Sequence, residues 1–299
     1  MRSLTRLLAL SLVLMVTGIV VPDSSRASTQ VLLVKVDRAS AVALDRETTW
    51  ILAVGSDMRP GEEMTRTRAD AIQLVGLHPE SGAATTIGIP RDSYVSIPGV
   101  GSDRINAAMF YGGPQLLSQA VGDLVGIEPD YVMVTRFPFF ENMIDDIGGI
   151  SVDNPRYFSD VNLKPQGFAA GQIRLNGYGA MAFSRIRKTL PGGDFDRSAN
   201  QQIVLRGIQE QLAKRADEAG FLASGVLTVL KHLDVSGTGP AELFQLAQAI
   251  ARVDARQITS CVVQGRIATI NGASVVVPYA DQARRYGDDA RDDATIGRC

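Results

Sequence analysis

The sequence predicts a single three-layer α/β/α-type domain around a mixed central sheet, and three features point there. Trp50 to Gly55 (WILAVG) is a continuous apolar run, as expected of a strand buried on both faces. Two strand-like runs, Ala71 to His78 and Thr85 to Ile89, flank the turn residues Glu80-Ser81-Gly82 and read as a hairpin. From Pro114 onward, segments of helical period alternate with short apolar runs, the pattern of helices packed on a sheet.

Taken in order, the chain opens with Arg2 and Arg6 before an apolar stretch from Leu7 to Val21, then Pro22 and the polar Asp23-Ser24-Ser25. Residues 1–28 thus read as a signal peptide or an N-terminal membrane anchor, since the stretch is shorter than the ~20 residues of a comfortable span. Either reading places the remainder outside the cytoplasm. Residues 29–48 form a lead-in with one strand, Val31 to Val36, and the compact domain is expected over 49–280. Pro90 ends the hairpin because proline cannot donate to a sheet ladder, and Tyr94 to Ile97 is a further short strand. Pro114 to Gly126 repeats Leu116, Leu117, Ala120, Val121 and Leu124 at helical spacing. A strand follows at Tyr131 to Thr135, then a helix from Phe137 to Ile147 stopped by Gly148-Gly149. A loop holding Pro155, Pro165 and Gly167 precedes helices at Asn176 to Arg187, Phe195 to Lys214, Phe221 to Leu233 and Ala241 to Val253. Gln257 to Val263 and Ser274 to Val277 close the strands, and residues 281–299 read as a charged, poorly ordered tail.

Composition bounds the chemistry. The chain has 299 residues, a formal charge of -2 and 6% aromatics, so the core is mostly aliphatic and no general nucleic-acid affinity is expected. Only five of the thirty basic residues are lysine. Arginine grips phosphate through two parallel N–H groups where lysine offers a point charge, although a bias in codon usage would produce the same excess. Cys261 and Cys299 lie in a compartment that permits disulfides, and either a bridge to the C-terminal segment or two free thiols fits the sequence.

The signatures of histidine-based hydrolases, Walker nucleotide sites and zinc proteases are missing, and the two histidines, His78 and His232, are far apart. What stands out is where Arg and Asp fall. Asp57 and Arg59 follow the buried strand; Arg68 and Asp70 precede the next; Arg91-Asp92 follows Ile89-Pro90. Arg104 and Asn106, Arg185 and Arg187, and Asp194, Asp196 and Arg197 stand at further element ends. Ligands of α/β sheets gather beyond strand ends, so these positions can meet in one cleft. Phosphoryl transfer needs this equipment, because its catalysis is positioning and charge stabilisation, and magnesium asks for one or two carboxylates besides phosphate oxygens and water.

Several short motifs, LAVGSDMRP (52–60), Arg68-Ala69-Asp70, IPRDS (89–93), RINAA (104–108) with Gly112-Gly113, DDIGG (145–149), Leu175-Asn176-Gly177, AFSRIRK (182–188) and GDFDR (193–197), occur in one order. Together, over a motif core of residues 50–205, they resemble the LytR–CpsA–Psr family. The resemblance implies an extracytoplasmic phosphotransferase. Such an enzyme moves a glycopolymer or sugar phosphate from a polyprenyl pyrophosphate carrier to an envelope acceptor such as peptidoglycan. The fold it implies has an apolar tunnel for the prenyl chain, for which Val121, Leu124, Phe139, Phe140, Met143 and Ile144 are candidates. Carried over by motif, Asp57 and Asp70 would hold Mg2+. Arg68, Arg91, Arg185, Arg187 and Arg197 would grip the pyrophosphate, with Arg59, Arg104, Asn106 and Gln201 as further substrate contacts. Asp92 would orient Arg91. Arg104 replaces the family's usual lysine, Ala69 its serine and Asn200 an arginine. The loss of a cation at Asn200 is the foothold for an alternative, a scaffold that binds polyprenyl phosphate without turnover, and a pyrophosphatase acting on lipid pyrophosphates is another. No helix-turn-helix pattern precedes the export segment, which speaks against a membrane-attached transcription regulator.

Overall fold

A computed structural model describes residues 31–37, 39, 48–56, 58, 62–215, 218 and 233–299. The first strands are β1 (Val31–Lys35), β2 (Thr49–Ser56), β3 (Ala69–His78) and β4 (Ala83–Gly88). A small hairpin, β5 (Tyr94–Ile97) and β6 (Gly101–Arg104), leads into helix α1 (Ala107–Val125). Then come β7 (Tyr131–Arg136), α2 (Phe137–Asp146), β8 (Ile150–Asn154), β9 (Phe158–Asp160), β10 (Lys164–Phe168) and β11 (Gly171–Leu175). Helices α3 (Gly177–Arg185) and α4 (Asp194–Arg215) follow, then β12 (Leu233–Ser236) and α5 (Pro240–Arg252). The chain ends with β13 (Ile258–Val262), β14 (Gly265–Ile270), β15 (Ala273–Pro278) and α6 (Ala280–Ala290).

The central sheet is mixed, as expected, with strand order β12-β1-β7-β2-β3-β4-β13. β2 runs parallel to β7 and antiparallel to β3, and β4 runs antiparallel to β3 and parallel to β13. The carboxyl ends of β2, β4, β7 and β13 therefore point the same way, and the start of β3 lies among them. Alternation along β2 separates two layers: Trp50, Leu52 and Val54 join the core under α1 and α6, whereas Ile51 packs with Leu246 and Ala249 of α5. Helix α4 lies over β3, β4 and β13 through a polar seam. In that seam the Gln73 amide donates to Ser198 Oγ at 3.0 Å and to Gln201 Oε1 at 2.9 Å, and the Gln202 amide donates to the carbonyl of Cys261 at 2.7 Å. A further apolar cluster joins α2, α3, α4 and β8–β11, with the Phe158, Phe168 and Phe183 rings 5.0–5.2 Å apart.

Several expectations need correction. The compact part begins at β1, which pairs with both β12 and β7, rather than at Trp50. Helix α1 starts at Ala107, seven residues before Pro114, and is kinked at Gly112-Gly113, where Gly113 takes a φ of 67° that glycine tolerates. The proline loop over 149–176 contains the antiparallel pairs β8–β11 and β9–β10; strands this short, broken by Pro and Gly, leave little alternation to read. The segment taken as a poorly ordered tail holds α6, with Ala283, Tyr286 and Ala290 buried against α1. Its stripe is mostly small residues, Ala283, Gly287 and Ala290 beside Tyr286, and its charges have structural work: Arg284 donates to the carbonyl of Asp123 at 2.8 Å and Arg291 to that of Gly126 at 3.0 Å, capping α1. Of the tunnel candidates, Val121 and Leu124 lie in the α1–α6 core, and Ile144, Phe140 and Met143 in the α2–α3 cluster. Cys261 and Cys299 form a disulfide. The export segment and the helix expected over 221–233 lie outside the described residues, except Leu233, which opens β12. Among the described residues, no helix is long and apolar enough to cross a membrane.

Candidate functional site

The arginine and aspartate positions at the strand ends converge. Asp70 stands at the start of β3, where a bulge opposite Gly55 and Ser56 re-aims the strand. Pro90 ends the pairing of β4 and releases Arg91, whose guanidinium pairs with the Asp70 carboxylate. Asp92, the next residue, is the centre of a second set: Arg187 reaches it at 3.3 Å, Arg104 at 3.7 Å and Arg91 Nε at 4.0 Å. Asp194, in the first turn of α4, accepts the Arg91 backbone N–H at 3.1 Å, pairs with the Arg197 guanidinium and lies 3.7 Å from Arg187. Four segments distant in sequence thus meet at one end of the sheet.

Charge in this cluster is shaped by burial. The Arg197 guanidinium is pushed below its ordinary pKa by loss of water, and Arg91 and Arg187 press in the same direction against the pull of Asp194 and Asp70. Burial also disfavours the charge on Arg91, but Asp70, Asp92 and Asp194 outweigh it and hold its pKa above the ordinary value. Arg68 has no ion pair among the described residues and stays exposed on the wall of a cleft of about 520 Å³ shared with Glu62, Glu63, Arg66, Thr67, Asp70 and Arg91. The guanidiniums of Arg68, Arg91, Arg104, Arg187 and Arg197 thus gather around the carboxylates of Asp70, Asp92 and Asp194, and the cleft wall beside Arg68 also carries Glu62, Glu63 and Arg66.

The remaining candidates are placed differently. Arg185 lies over the Phe137 ring, its guanidinium carbon 4.3 Å from the ring centre, just beyond the end of β7. Gln201 is buried with its amide already engaged, accepting from Gln73 and donating to the carbonyl of Ser184 at 3.2 Å, so it braces α4 against the sheet. Asn106 is 3% exposed, and its backbone joins the motifs: its N–H donates to the carbonyl of Arg91 at 3.3 Å and its carbonyl accepts from Ala69 at 3.4 Å. Asn200, where a further cation was expected, is buried between α3 and α4 and donates to the carbonyl of Phe183 at 3.4 Å. In this chain that position joins helices and does not face the cleft. Asp57 and Arg59 lie outside the described residues, as does His232; His78 shares a 2.9 Å hydrogen bond with Ser81 in the β3–β4 turn.

One residue of the cluster, Asp194, and one strand-end residue, Arg136, have no site role assigned from the sequence. Asp194 was noted only as one charge among several at the head of a helix, yet it holds three groups of the site together. Arg136, last in β7 and in register with Ser56, is 9% exposed, has an unpaired Nε and makes no ion pair among the described residues. Nothing in its sequence neighbourhood, a strand end followed by Phe137-Pro138, marked it.

The chain is 34% identical over 176 residues to the polyisoprenyl-teichoic acid–peptidoglycan teichoic acid transferase TagU of Bacillus anthracis (strain CDC 684 / NRRL 3495), a match covering 58% of this chain and 56% of the relative. TagU of Bacillus subtilis (strain 168) matches at 34% over 173 residues, 57% of this chain and 55% of the relative. The chain thus spans somewhat over half the length of the curated relatives it matches. Among solved structures, B. subtilis TagV aligns with a TM-score of 0.63 at 26% identity, covering 80% of this chain and 94% of that one. The LytR-CPS2A-psr family protein YwtF (TagT), solved with bound octaprenyl pyrophosphate lipid, aligns at 0.61 and 22% identity over 88% and 95% of the two chains, a likeness of fold. The match that decides the matter is the family model, which runs across residues 21–291 and so takes in the arginine cleft, the terminal hairpin and α6 alike. This chain belongs to the LytR_cpsA_psr family.

Proposed function

We propose that the chain is a phosphotransferase that moves a sugar phosphate or glycopolymer from a polyprenyl pyrophosphate carrier to a hydroxyl acceptor of the cell envelope. The single observation that carries this reading is the meeting of Arg91, Arg104, Arg187 and Arg197 around Asp70, Asp92 and Asp194 from separate segments. A pyrophosphate spreads its charge over several oxygens, and guanidiniums held in fixed positions stabilise it without reorganising. The relatives named as teichoic acid–peptidoglycan transferases, and the fold-mate that holds octaprenyl pyrophosphate, support the same donor and acceptor classes. The Arg2, Arg6 and Leu7–Val21 segment supports work at the outer face of the cytoplasmic membrane.

In this reading the acceptor hydroxyl attacks the sugar-proximal phosphorus, the bridging P–O bond breaks, and polyprenyl phosphate leaves, the hydroxyl proton passing to the departing phosphate or to water. Arg91 exchanges its partner Asp70 for a phosphate oxygen, which frees the carboxylate, while Asp92 and Asp194 keep Arg104, Arg187 and Arg197 aimed at the cleft. A magnesium ion would suit hard oxygen donors, with Asp70 of the cleft wall and Asp57, assigned by its motif alone, to hold it, and when bound it would neutralise charge developing on the leaving phosphate. Water in place of the acceptor would give the pyrophosphatase reaction. Asn200 packs between helices and so lends the non-catalytic scaffold no support.

To test this, the protein is incubated with a polyprenyl pyrophosphate-linked saccharide and magnesium, and polyprenyl phosphate release is followed. Asp70→Ala and Arg187→Ala are each expected to lose about 100-fold in rate, the scale of removing one preorganised electrostatic partner, and chelation of magnesium to stop turnover. Release by Asp70→Ala at the wild-type rate would remove the metal role assigned to that carboxylate.

A further inference from the structure

Beside the arginine cleft lies a second cavity of about 390 Å³, and the two share Arg68 as a common wall. Tyr94, Ser102 and Asp103 of the β5–β6 hairpin line it, together with Asn106 and the tip of the β14–β15 hairpin at Ile270 and Asn271. That tip is a tight turn with both central residues left-handed, Asn271 at φ 52° and Gly272 at φ 76°. The hairpin is anchored at the site itself, because Ser93 bridges to Val276 and the Val276 N–H donates to the carbonyl of Asp92 at 2.9 Å. The terminal strands therefore close over the same loop that carries Arg91 and Asp92.

The chemistry of this wall differs from that of the cleft. Away from Arg68 and Arg104 it offers two amides, a hydroxyl, a tyrosine ring and one carboxylate, Asp103, which already receives the Tyr111 hydroxyl at 3.0 Å. Asn106 is nearly fully buried, yet its side-chain oxygen has no hydrogen-bond partner among the described residues. A buried acceptor left unpaired is costly, and it leaves a polar group in this wall unsatisfied. Hydroxyl donors matched to amides and a carboxylate, with an aromatic ring beside them, describe a sugar. The volume lies within the ~300–1,000 Å³ usual for small-ligand sites.

We propose that this cavity is a saccharide subsite that seats the acceptor sugar against Arg68, alongside the pyrophosphate cleft. The assignment rests on the transfer reading, since transfer needs a donor phosphorus and an acceptor hydroxyl within reach of each other, and two cavities with one shared wall supply that arrangement.

A binding experiment tests it without turnover. The full chain is titrated with a soluble peptidoglycan disaccharide fragment, with and without bare polyprenyl pyrophosphate. Saturable binding that persists when the lipid is present is expected, weakened about tenfold by Asn271→Gly, which preserves the left-handed turn while removing the amide, and likewise by Tyr94→Ala. No saturable binding, displacement by the bare lipid pyrophosphate, or wild-type affinity in both variants would overturn the assignment. If instead Asn271→Gly weakened binding of a sugar-bearing lipid pyrophosphate and left the fragment unaffected, the cavity would belong to the donor sugar and the acceptor assignment would fall. Failure of lipid phosphate release in the wild type, with fragment binding intact, would count against the transfer reading alone.

Discussion

Asp194 holds the site together through a single side chain: it pairs with the buried Arg197, approaches Arg187 and fixes the backbone of Arg91. Removing it strands Arg197, whose side chain is 7% exposed. Breaking a buried pair from one side costs about 3 kcal/mol or more, because an unpaired charge remains out of water. Asp194→Ala is accordingly expected to lose about 3 kcal/mol in urea unfolding, and the double variant with Arg197→Met to recover much of it. A loss under about 1 kcal/mol would mean that Arg197 finds another partner. Asp254 behaves differently, because it is only partly buried at the entry to β13, where Arg256 donates to its carboxylate and lowers its pKa from 3.8 to about 2. A depressed carboxylate pKa stabilises the fold above the ordinary value and ceases to do so as pH falls through the lowered one. The stability difference between wild type and Asp254→Asn should therefore be constant at neutral pH and shrink between about pH 4 and pH 2; a difference that changes between pH 6 and 8 would assign it to another group.

At the scale of elements, the contact between α1 and α6 shows how closely the terminal segment is fitted. A Cβ placed on Gly287 would stand 2.2 Å from the carbonyl oxygen of Val125, backbone that cannot swing aside. Glycine at this point lets α6 lie against the end of α1, where Arg284 and Arg291 reach the last carbonyls. Gly287→Ala must push the helices apart, and overpacking of this kind costs about 1–3 kcal/mol, more than alanine returns through its better helix propensity. The expected result is a lower urea midpoint and faster amide exchange in α6. Unchanged exchange there would show that the helix can shift freely and that its packing contributes little.

For the molecule as a whole, the order of the central elements was legible in the sequence because their patterns are long and clean: the Trp50–Gly55 run, the β3–β4 hairpin and the α5 helix all lie within a few residues of where periodicity put them. What escaped notice has physical reasons. The strands over 150–175 are three to five residues long, too short to show alternation. The stripe of α6 is Ala283, Tyr286, Gly287 and Ala290, mostly small residues that carry little hydropathy signal, and α4 buries Gln201, Gln202 and Gln209, residues that a pattern of apolar positions reads as surface. In the site, motif spacing brought Arg68, Asp70, Arg91 and Arg187 into view, but the pairing scheme around Asp92 and Asp194 is a property of tertiary structure and no spacing encodes it. The disulfide is one of the two readings the cysteines left open in the sequence, and it fastens the end of the chain to β13, the outer strand beside β4. Cys261 and Cys299 are 38 residues apart, and that stretch contains the β14–β15 hairpin and α6. Closing a loop of this length restricts the unfolded chain by roughly 3–4 kcal/mol in the chain-entropy account. For a domain of this size that corresponds to about 6 °C in melting temperature. Reduction, or Cys261→Ser with Cys299→Ser, should lower the melting temperature by about that amount, with amide protection lost first in α6 and the β14–β15 hairpin. If only the global midpoint fell while those two elements kept their protection, the bridge would be acting on the unfolded state alone. Selective loss would show that it also seats the hairpin above Asp92.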